Sequence, residues 1–377
     1  MAWGNRDTKD NVILTGIDAT LLEKYRLRDG ATYAQIVGMA ETMLGGFNSG
    51  MASDPFWSML VSYTDQIETR YAIGNTGTMV AHTEYGRPDP ERAALAGHML
   101  PFRKWDHMLG WTADYLEEAR LSDIEADLLM GLDAVRNRWR MALLQRLLKR
   151  GDESGSINGL SATGLSPGFA TAAASTGVDF IPPSYGGSTF TSDHEHYVAI
   201  AGGAFTAAVF TDAAAELREH GHEAPYEFLI GPSDESTVSG LTGFVSVNEQ
   251  LINQSALTAV TTFTGAAIDG KRPIGAISGF RVWVVPGIPQ YYGFGFKSYG
   301  PNNLRNPLRV RLPEGERAPR ALIVRDSLMP GITPVQNLMI QTRFGVGVGD
   351  RTNGTPRYVN NANWADGSAA YYGFPSC

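Results

Sequence analysis

The sequence has few of the features that mark several common protein classes. It has a single cysteine, Cys377, so no intramolecular disulfide can form and the fold must be stable without one. No run of ~18 apolar residues occurs, which argues against a membrane-spanning helix and a membrane partner. The formal net charge is -8, whereas a surface that coats nucleic acid needs a basic face. The first residues lack the basic and apolar segments of a signal peptide, so we expect a cytoplasm-like compartment.

Sequence motifs for common enzyme chemistry are also missing. There is no Gly-Lys-Ser/Thr phosphate loop, no dinucleotide-binding fingerprint and no Gly-x-Ser-x-Gly nucleophile elbow. The glycine-rich run from Gly345 to Gly349 follows a predicted strand, but no helix start comes after it. We therefore expect no enzyme activity, no catalytic residue and no cofactor.

Four histidines form two closely spaced pairs, His194 with His196 and His220 with His222. Each pair lies at an end of a predicted helix, where residues i and i+2 point in different directions. No cysteine or cluster of acidic residues completes a zinc set. We interpret all four as ordinary helix-end histidines and predict no metal site.

The clearest local pattern predicts a long amphipathic helix over residues 122–150. Ser122 and Glu125 form a capping box at its start, and Gly151 ends it. Apolar residues follow at steps of three or four, which places them on one face of the helix. The predicted core members of this face are Ile124, Leu128, Leu132, Val135, Trp139 and Leu143.

Residues 54–112 predict a long two-stranded excursion with a polar tip. Residues 56–73 and 100–111 are strand-like, and a further strand is predicted from Thr78 to Tyr85. A two-stranded ribbon is marginally stable on its own in water. We therefore expect its tip to lie on a neighbouring subunit. The charged tip residues that would make this contact are Glu84, Arg87, Asp89, Glu91 and Arg92.

The rest of the chain predicts a mixed α+β protein. Tyr33 to Leu44 have helical spacing, and Gly45 and Gly46 are expected to end this short helix. A second capping box, from Ser192 to Glu195, predicts an alanine-rich helix that continues to His220. Beyond Gly275 the sequence is rich in strand patterns separated by proline and glycine.

The order of these elements resembles that of the major capsid proteins of tailed bacteriophages, which have the Hong Kong 97-type fold. The likeness covers nearly the whole chain, from an N-terminal arm through the extended loop and long helix to a final strand. Leu100 to Thr112 looks like the descending strand of the extended loop. Arg343 to Val348 looks like the last strand of the peripheral domain.

This resemblance implies an α+β, Hong Kong 97-like fold with five segments along the chain. They are an N-terminal arm with a short helix (1–53), the extended loop (54–112), a peripheral domain with the spine helix (113–190), an axial domain (191–330) and a return to the peripheral domain (331–377).

The resemblance also implies a function and a set of partners. The chain would be a capsid protein that assembles into pentamers and hexamers of an icosahedral shell, with double-stranded DNA held inside by non-specific proximity. Some relatives carry a scaffolding segment ahead of the arm, whereas only residues 1–53 precede the loop here. We therefore expect a separate scaffolding protein, a portal and, as in some shells, a decoration or cement protein. The expected location is the virion, assembled in the host bacterial cytoplasm.

The lysines depart from a pattern found in some relatives, which weld their subunits by Lys–Asn isopeptide bonds from a lysine on the extended loop. No lysine occurs between Lys24 and Lys104, and the tip carries arginines instead. Cys377 could form one disulfide between chains, but a cytoplasm keeps thiols reduced. We therefore expect a shell without covalent links.

Two other functions stay open at this point. An encapsulin, which is a bacterial nanocompartment shell, shares the fold and needs a cargo-docking groove near its N-terminal helix, for which residues 33–44 are a candidate. The tryptophan and tyrosine content suggests an extracellular carbohydrate-binding or hydrolytic β-rich protein, but the long helix argues against that class.

Overall fold

The computed structural model describes residues 12–15, 26–74, 79, 94–157, 160–162, 164–170, 180–247, 271–326 and 335–364. Backbone contacts divide the chain into two compact units. The first unit consists of Met1–Asp54, Phe102–Arg140 and Leu312–Gly345. The second consists of Pro55–Pro101, Met141–Arg311 and Val346–Cys377.

The described part of the chain contains both helices and strands. Its α-helices are α1 (Tyr33–Ser53), α2 (Pro55–Ser58), α3 (Ala113–Glu118), α4 (Leu121–Leu148), α5 (Ala207–Glu219) and α6 (Glu235–Ser239). Its strands are β1 (Val12–Thr15), β2 (Val61–Thr64), β3 (Glu68–Ile73), β4 (Ala94–Met99), β5 (Arg103–Thr112), β6 (Gly155–Ile157), β7 (Leu160–Ala162), β8 (Val198–Ala199), β9 (Tyr226–Ile230), β10 (Val245–Ser246), β11 (Arg272–Ile277), β12 (Phe280–Val284), β13 (Tyr292–Phe296), β14 (Leu308–Arg311), β15 (Ala321–Asp326), β16 (Val335–Val348) and β17 (Thr355–Tyr358). None of these helices combines the length and apolar character needed to cross a membrane.

The first unit is built on a sheet in which β1, β15, β16 and β5 are neighbours in that order. β1 runs parallel to β15, and the other two pairs are antiparallel. Side chains from α1, α3, α4, β5, β15 and β16 form one buried core. Helices and sheet therefore share a single apolar interior in this unit.

Helix α4 begins one residue earlier than predicted, and different groups cap it. The backbone N–H of Arg120 donates to an Asp123 carboxylate oxygen (2.8 Å), and the N–H of Leu121 donates to Asp29 (2.9 Å). These carboxylates satisfy N–H groups that a helix start leaves free. The hydrogen bond from Leu121 is the main cause that lowers the pKa of Asp29. Ser122, predicted as the cap, lies inside the helix.

The six predicted core residues of α4 are all buried in the structure. The least exposed are Ile124 and Leu143, at 0 % relative exposure, and the most exposed is Val135, at 6 %. Trp139 is 2 % exposed, and its ring makes an edge contact with that of Phe344 at 5.1 Å between centroids. The apolar stripe therefore packs as a helix face on a core.

Helix α1 continues past the glycine pair that was predicted to end it, so this prediction is wrong. Beyond the glycines, Phe47 is buried in the core of the first unit. The side chain of Asn48 accepts from the backbone N–H of Ala321 (2.8 Å) and donates to its carbonyl (3.0 Å). A mid-helix glycine costs up to about 1 kcal/mol relative to alanine. These tertiary contacts keep the chain helical despite that cost.

The second unit contains a seven-stranded mixed sheet in the order β10, β11, β12, β9, β13, β17, β8. The β12–β9 and β17–β8 pairs are parallel, and the remaining pairs are antiparallel. Phenylalanines of α5 and the sheet pack together, with Phe210 and Phe228 at 4.6 Å between ring centroids. Gly293 leaves room for this cluster, because a Cβ there would lie 2.6 Å from the Phe228 ring.

Helix α5 is shorter than predicted, and its predicted capping box lies well outside it. The structure places its N-cap at Thr206, and β8 occupies part of the segment predicted as helix. The N–H of His196 donates to the Ala170 carbonyl (2.8 Å), and that of Ile200 donates to the Tyr358 carbonyl (2.7 Å). These hydrogen bonds hold residues 196–200 extended, and their partners are distant in the sequence.

The predicted strand over residues 56–73 is also wrong in detail. Its start forms the short helix α2, with Phe56 and Trp57 buried. The next part is β2, which pairs in parallel with β14, and only the last part is β3. The segment that resembled the descending strand of the extended loop is β5, which pairs with β16. The partner of β3 is instead β4. Most of the predicted strand from Thr78 to Tyr85 lies outside the described residues.

We predict that replacing Trp139 by alanine destabilises the subunit by ~3–5 kcal/mol, because it removes a large buried ring and leaves a cavity. Urea denaturation of the purified subunit measures this loss. Leu129 lies on the same helix but is 49 % exposed, so Leu129→Ala serves as the matched control and should change stability by less than about 1 kcal/mol. If both substitutions lowered the stability equally, Trp139 would not be a main contributor to the packing of α4.

Candidate functional site

The ribbon formed by β3 and β4 has two different faces. Its strands pair antiparallel, from Glu68 opposite Met99 to Ile73 opposite Ala94. One face carries Leu95 and Met99, which are 69 % and 50 % exposed. Large apolar side chains that are this exposed on one face suit a contact with another protein surface.

The opposite face of the ribbon is anchored within the second unit. The ring of Tyr71 makes an edge contact with that of Phe180 at 5.3 Å between centroids. The guanidinium of Arg351 donates to the Tyr71 hydroxyl (3.1 Å) and lies 4.2 Å from the Phe180 ring. Arg351 also donates from Nε to the Gly168 carbonyl (3.0 Å). The base of the ribbon is therefore fixed, while its other face stays exposed.

His98 on β4 is a buried polar residue on the anchored face of the ribbon. Its Nε2 lies 3.1 Å from the Val348 carbonyl oxygen, which can only accept, so Nε2 carries the proton. Its Nδ1 is buried without a hydrogen-bond partner among the described residues. Burial, with the nearby charge of Arg351, lowers the pKa of His98 to about 3. His98 is therefore neutral across the physiological pH range.

The predicted contact residues of the ribbon tip lie outside the described residues. They are Glu84, Arg87, Asp89, Glu91 and Arg92. The structure thus describes the base of the ribbon and leaves the tip as a prediction from the sequence.

A second constellation, the histidine cluster, consists of His194, His196, His220 and Glu219. The three Nε2 atoms are mutually close: His194 to His196 is 3.0 Å, His194 to His220 is 2.9 Å and His196 to His220 is 2.9 Å. A carboxylate oxygen of Glu219 lies 3.3 Å from the Nε2 of His194 and 3.7 Å from that of His220. These four ligand atoms all lie within 4.8 Å of one another, so they could hold one metal ion.

The cluster is mostly shielded from water. His196 is fully buried, and Phe190 packs its ring at 4.7 Å from that of His194 and 4.4 Å from that of His220. Burial lowers the pKa of all three imidazoles, that of His220 to about 3, and raises the pKa of Glu219. The histidines are therefore neutral bases at pH 7.

The interpretation of the four histidines as helix-end residues is wrong for His194 and His196, and it is confirmed for His220, which is the C-cap of α5. His194 and His196 precede α5 on a non-helical segment, where residues two apart can share a side. His220 joins them, whereas His222 bonds through its two ring nitrogens to Tyr299 (2.7 Å) and Thr352 (3.0 Å). A signal was available in the His-x-His spacing, which suits an extended chain, but the capping-box pattern favoured a helix there.

Comparison by sequence identifies no relative. No protein-family model matches the chain, and no curated protein matches it.

Comparison by structure finds similar chains. A solved structure from Mycobacterium phage Patience shares 17 % identity, covers 98 % of each chain and has a TM-score of 0.63. The capsid of a native GTA particle (14 % identity, 82 % of this chain and 91 % of that one) and the capsid of the cyanophage P-SCSP1u (10 %, 82 % and 89 %) both reach a TM-score of 0.47. These last two likenesses are too distant to support a conclusion. The first one shows the fold, and the predicted α+β, Hong Kong 97-like fold class is confirmed.

We predict that His98 makes the subunit less stable in mild acid. Its pKa in the folded protein, about 3, lies below the ordinary value of 6.5, so below pH 6.5 the unfolded chain binds the proton first. The stability that His98 contributes is complete above pH 6.5 and is lost as the pH falls towards 3, by up to about 1.4 kcal/mol per pH unit. His98→Gln keeps an N–H donor and should flatten this pH dependence in urea denaturation from pH 7.5 to 4.5. Identical slopes for the two proteins would contradict this role.

Proposed function

We propose that this chain is the major capsid protein of a tailed bacteriophage, and that it acts as a structural subunit and not as a catalyst. Copies of it assemble into pentamers and hexamers, and these form an icosahedral shell around double-stranded DNA. The virion is then its location.

The observation that carries this proposal is the fold likeness to the phage Patience structure, which extends over 98 % of both chains. The likeness leaves almost no part of either chain without a counterpart. The resemblance in the order of the sequence elements points to the same fold from the sequence alone. A structural role alone explains this architecture, without a binding cleft or a set of catalytic groups.

The ribbon supports the proposal through its exposed face. A two-stranded ribbon has too little interior to be stable alone, and its anchored face contacts other residues of the second unit, to which it belongs. Leu95 and Met99 on the other face would be covered by a neighbouring subunit. The charged tip, with Arg87 and Arg92 among its residues, would extend this contact with ion pairs. An exposed pair contributes only ~0–1 kcal/mol, but a shell repeats it in every subunit.

The segment roles and partners belong to the same proposal. Residues 1–53 serve as an arm, 54–112 contain the extended loop with its ribbon of β3 and β4, 113–190 and 331–377 contain the peripheral domain, and 191–330 contain the axial domain. A separate scaffolding protein and a portal act with the chain in head assembly in the host cytoplasm, and a decoration or cement protein is an optional further partner, as in some shells. DNA is held inside the shell without sequence-specific contacts, which agrees with the net charge of -8.

A nanocompartment shell is the second candidate, because encapsulins share this fold. The fold likeness extends along the whole chain to a structure from a phage, so the phage shell is the function that we propose. A β-rich carbohydrate-binding or hydrolytic protein is not favoured, because α4 alone is a helix of 28 residues.

We predict that the chain, co-expressed with its scaffolding protein and portal, forms shells that electron microscopy shows as icosahedral particles. Arg87→Glu combined with Arg92→Glu should reduce particle yield while the subunit stays soluble, because the reversed charges repel the acidic partners proposed for them. Arg87→Lys combined with Arg92→Lys keeps both charges and is the matched control.

The outcomes separate the candidates. Only monomers under these conditions would contradict the capsid proposal, and small shells that enclose an enzyme would favour the nanocompartment. Full particle yield from the double glutamate variant would contradict the role of the tip but not that of the chain.

We predict that mature particles contain no covalent links between subunits. An isopeptide weld needs a loop lysine, and residues 54–103 contain none. Particles boiled with detergent and reductant should give one band near 40.8 kDa on a denaturing gel. A ladder of pentamers and hexamers would contradict this prediction.

A further inference from the structure

The three Nε2 atoms of the histidine cluster cannot all be hydrogen-bonded to one another. Each Nε2 either carries a proton and donates or carries a lone pair and accepts. In a triangle of three such atoms, at least one side must join two donors or two acceptors. The sides here measure 2.9, 2.9 and 3.0 Å, so at least one of these short contacts is repulsive. A group other than the three histidines is therefore needed to stabilise the cluster.

The tautomer of His196 can be assigned from its surroundings. Its Nδ1 lies 2.8 Å from the carbonyl oxygen of Gly354, which only accepts, so Nδ1 carries the proton. The Nε2 of His196 therefore presents a lone pair to the middle of the cluster. A histidine that binds a metal typically donates its other ring N–H to a carbonyl in this way. His220 has a buried Nδ1 without a hydrogen-bond partner among the described residues, so no hydrogen bond at Nδ1 fixes which of its ring nitrogens carries the proton.

We propose that His194, His196, His220 and Glu219 bind a divalent transition-metal ion, with zinc as the best match. Three imidazole nitrogens and one carboxylate oxygen are a donor set that zinc accepts in tetrahedral geometry. Zinc–nitrogen bonds of about 2.0–2.1 Å place tetrahedral nitrogens about 3.3 Å apart. The nitrogens therefore need to separate by only about 0.4 Å, and the Glu219 carboxylate, 3.7 Å from the Nε2 of His220, needs to move closer to the histidines.

The charges around the cluster favour a cation. Glu219 is the last residue of α5, where a carboxylate opposes the helix dipole unless a positive charge lies nearby. Arg357 is the cation next to His196, donating to its carbonyl (3.2 Å), and it also donates to the carboxylate of Glu216 (2.7 Å). The Arg357 charge is thus offset by Glu216, while Glu219 is available to neutralise part of the charge of a bound ion.

The site has a structural character and goes beyond the capsid proposal. Four protein ligands complete a tetrahedral zinc ion and leave no open position for a substrate or a reactive water. The ion would join the irregular segment that carries His194 and His196 to the C-terminal end of α5. It would act as a clip within one subunit.

Zinc titration of the full chain tests the inference. The purified protein is stripped with a chelator, dialysed, titrated with zinc chloride in a calorimeter, and its bound metal is counted by mass spectrometry after gel filtration. We expect one zinc ion per wild-type chain and a higher melting temperature with zinc. His194→Gln and Glu219→Gln should each weaken binding by at least about 10-fold. These are the two more exposed ligands, so their replacement disturbs the fold least.

His107→Gln is the matched control, since His107 is a half-buried histidine on β5, far from the cluster in sequence. It should bind zinc as the wild type does, and circular dichroism of each variant checks that the chain is folded. Cobalt added in place of zinc should give the strong visible absorption of a tetrahedral site in the wild type and lose it in His194→Gln. The inference is overturned if the wild type binds no stoichiometric zinc, or if both ligand variants bind it as tightly as the wild type.

Discussion

The packing of α4 on the sheet is the interaction on which the first unit depends. The apolar stripe of this helix meets β5, β15 and β16 in one core, which also includes a face of α1. Gly131 shows how close the approach is, because a Cβ at that position would lie 2.4 Å from the Cδ1 of Ile340. A glycine in mid-helix costs about 1 kcal/mol of helix propensity. That cost is offset here by the burial of Ile340, which is 0 % exposed, directly against the helix backbone.

This same interaction explains which parts of the fold the sequence predicts. The stripe of α4 repeats every three or four residues, so all the information needed to place the helix lies within it. The ends of helices depend on distant partners instead. Asp29 caps α4 although it lies 92 residues earlier in the chain, and Asn48 bonds to Ala321 and keeps α1 helical beyond its glycine pair. Local rules for glycine and for capping boxes cannot include such contacts, and those are the rules that gave the wrong boundaries.

The two candidate sites also differ in how far the sequence predicts them. The length and the polar tip of the ribbon are enough to infer that it needs a partner. The predicted pairing of its strands is wrong, because β5 pairs with β16 and the partner of β3 is β4. The histidine cluster depends on the path of residues 196–200, which is set by Ala170 and Tyr358. With this segment taken as helix, no inspection of the sequence could bring His194 and His196 towards His220.

A metal ion bound at the histidine cluster would give the chain an internal cross-link, which its single cysteine cannot form. With Cys377 as the only cysteine, the chain has no disulfide to restrict its unfolded state. A link between His194 and His220 closes a loop of 26 residues. A zinc ion that binds only the folded chain stabilises it by its binding free energy, so the gain grows with the zinc concentration relative to the Kd. Such a clip fixes a segment within one subunit, whereas the exposed face of the ribbon serves contacts between subunits. The metal site and the shell function therefore rest on separate observations, and the failure of either one leaves the other intact.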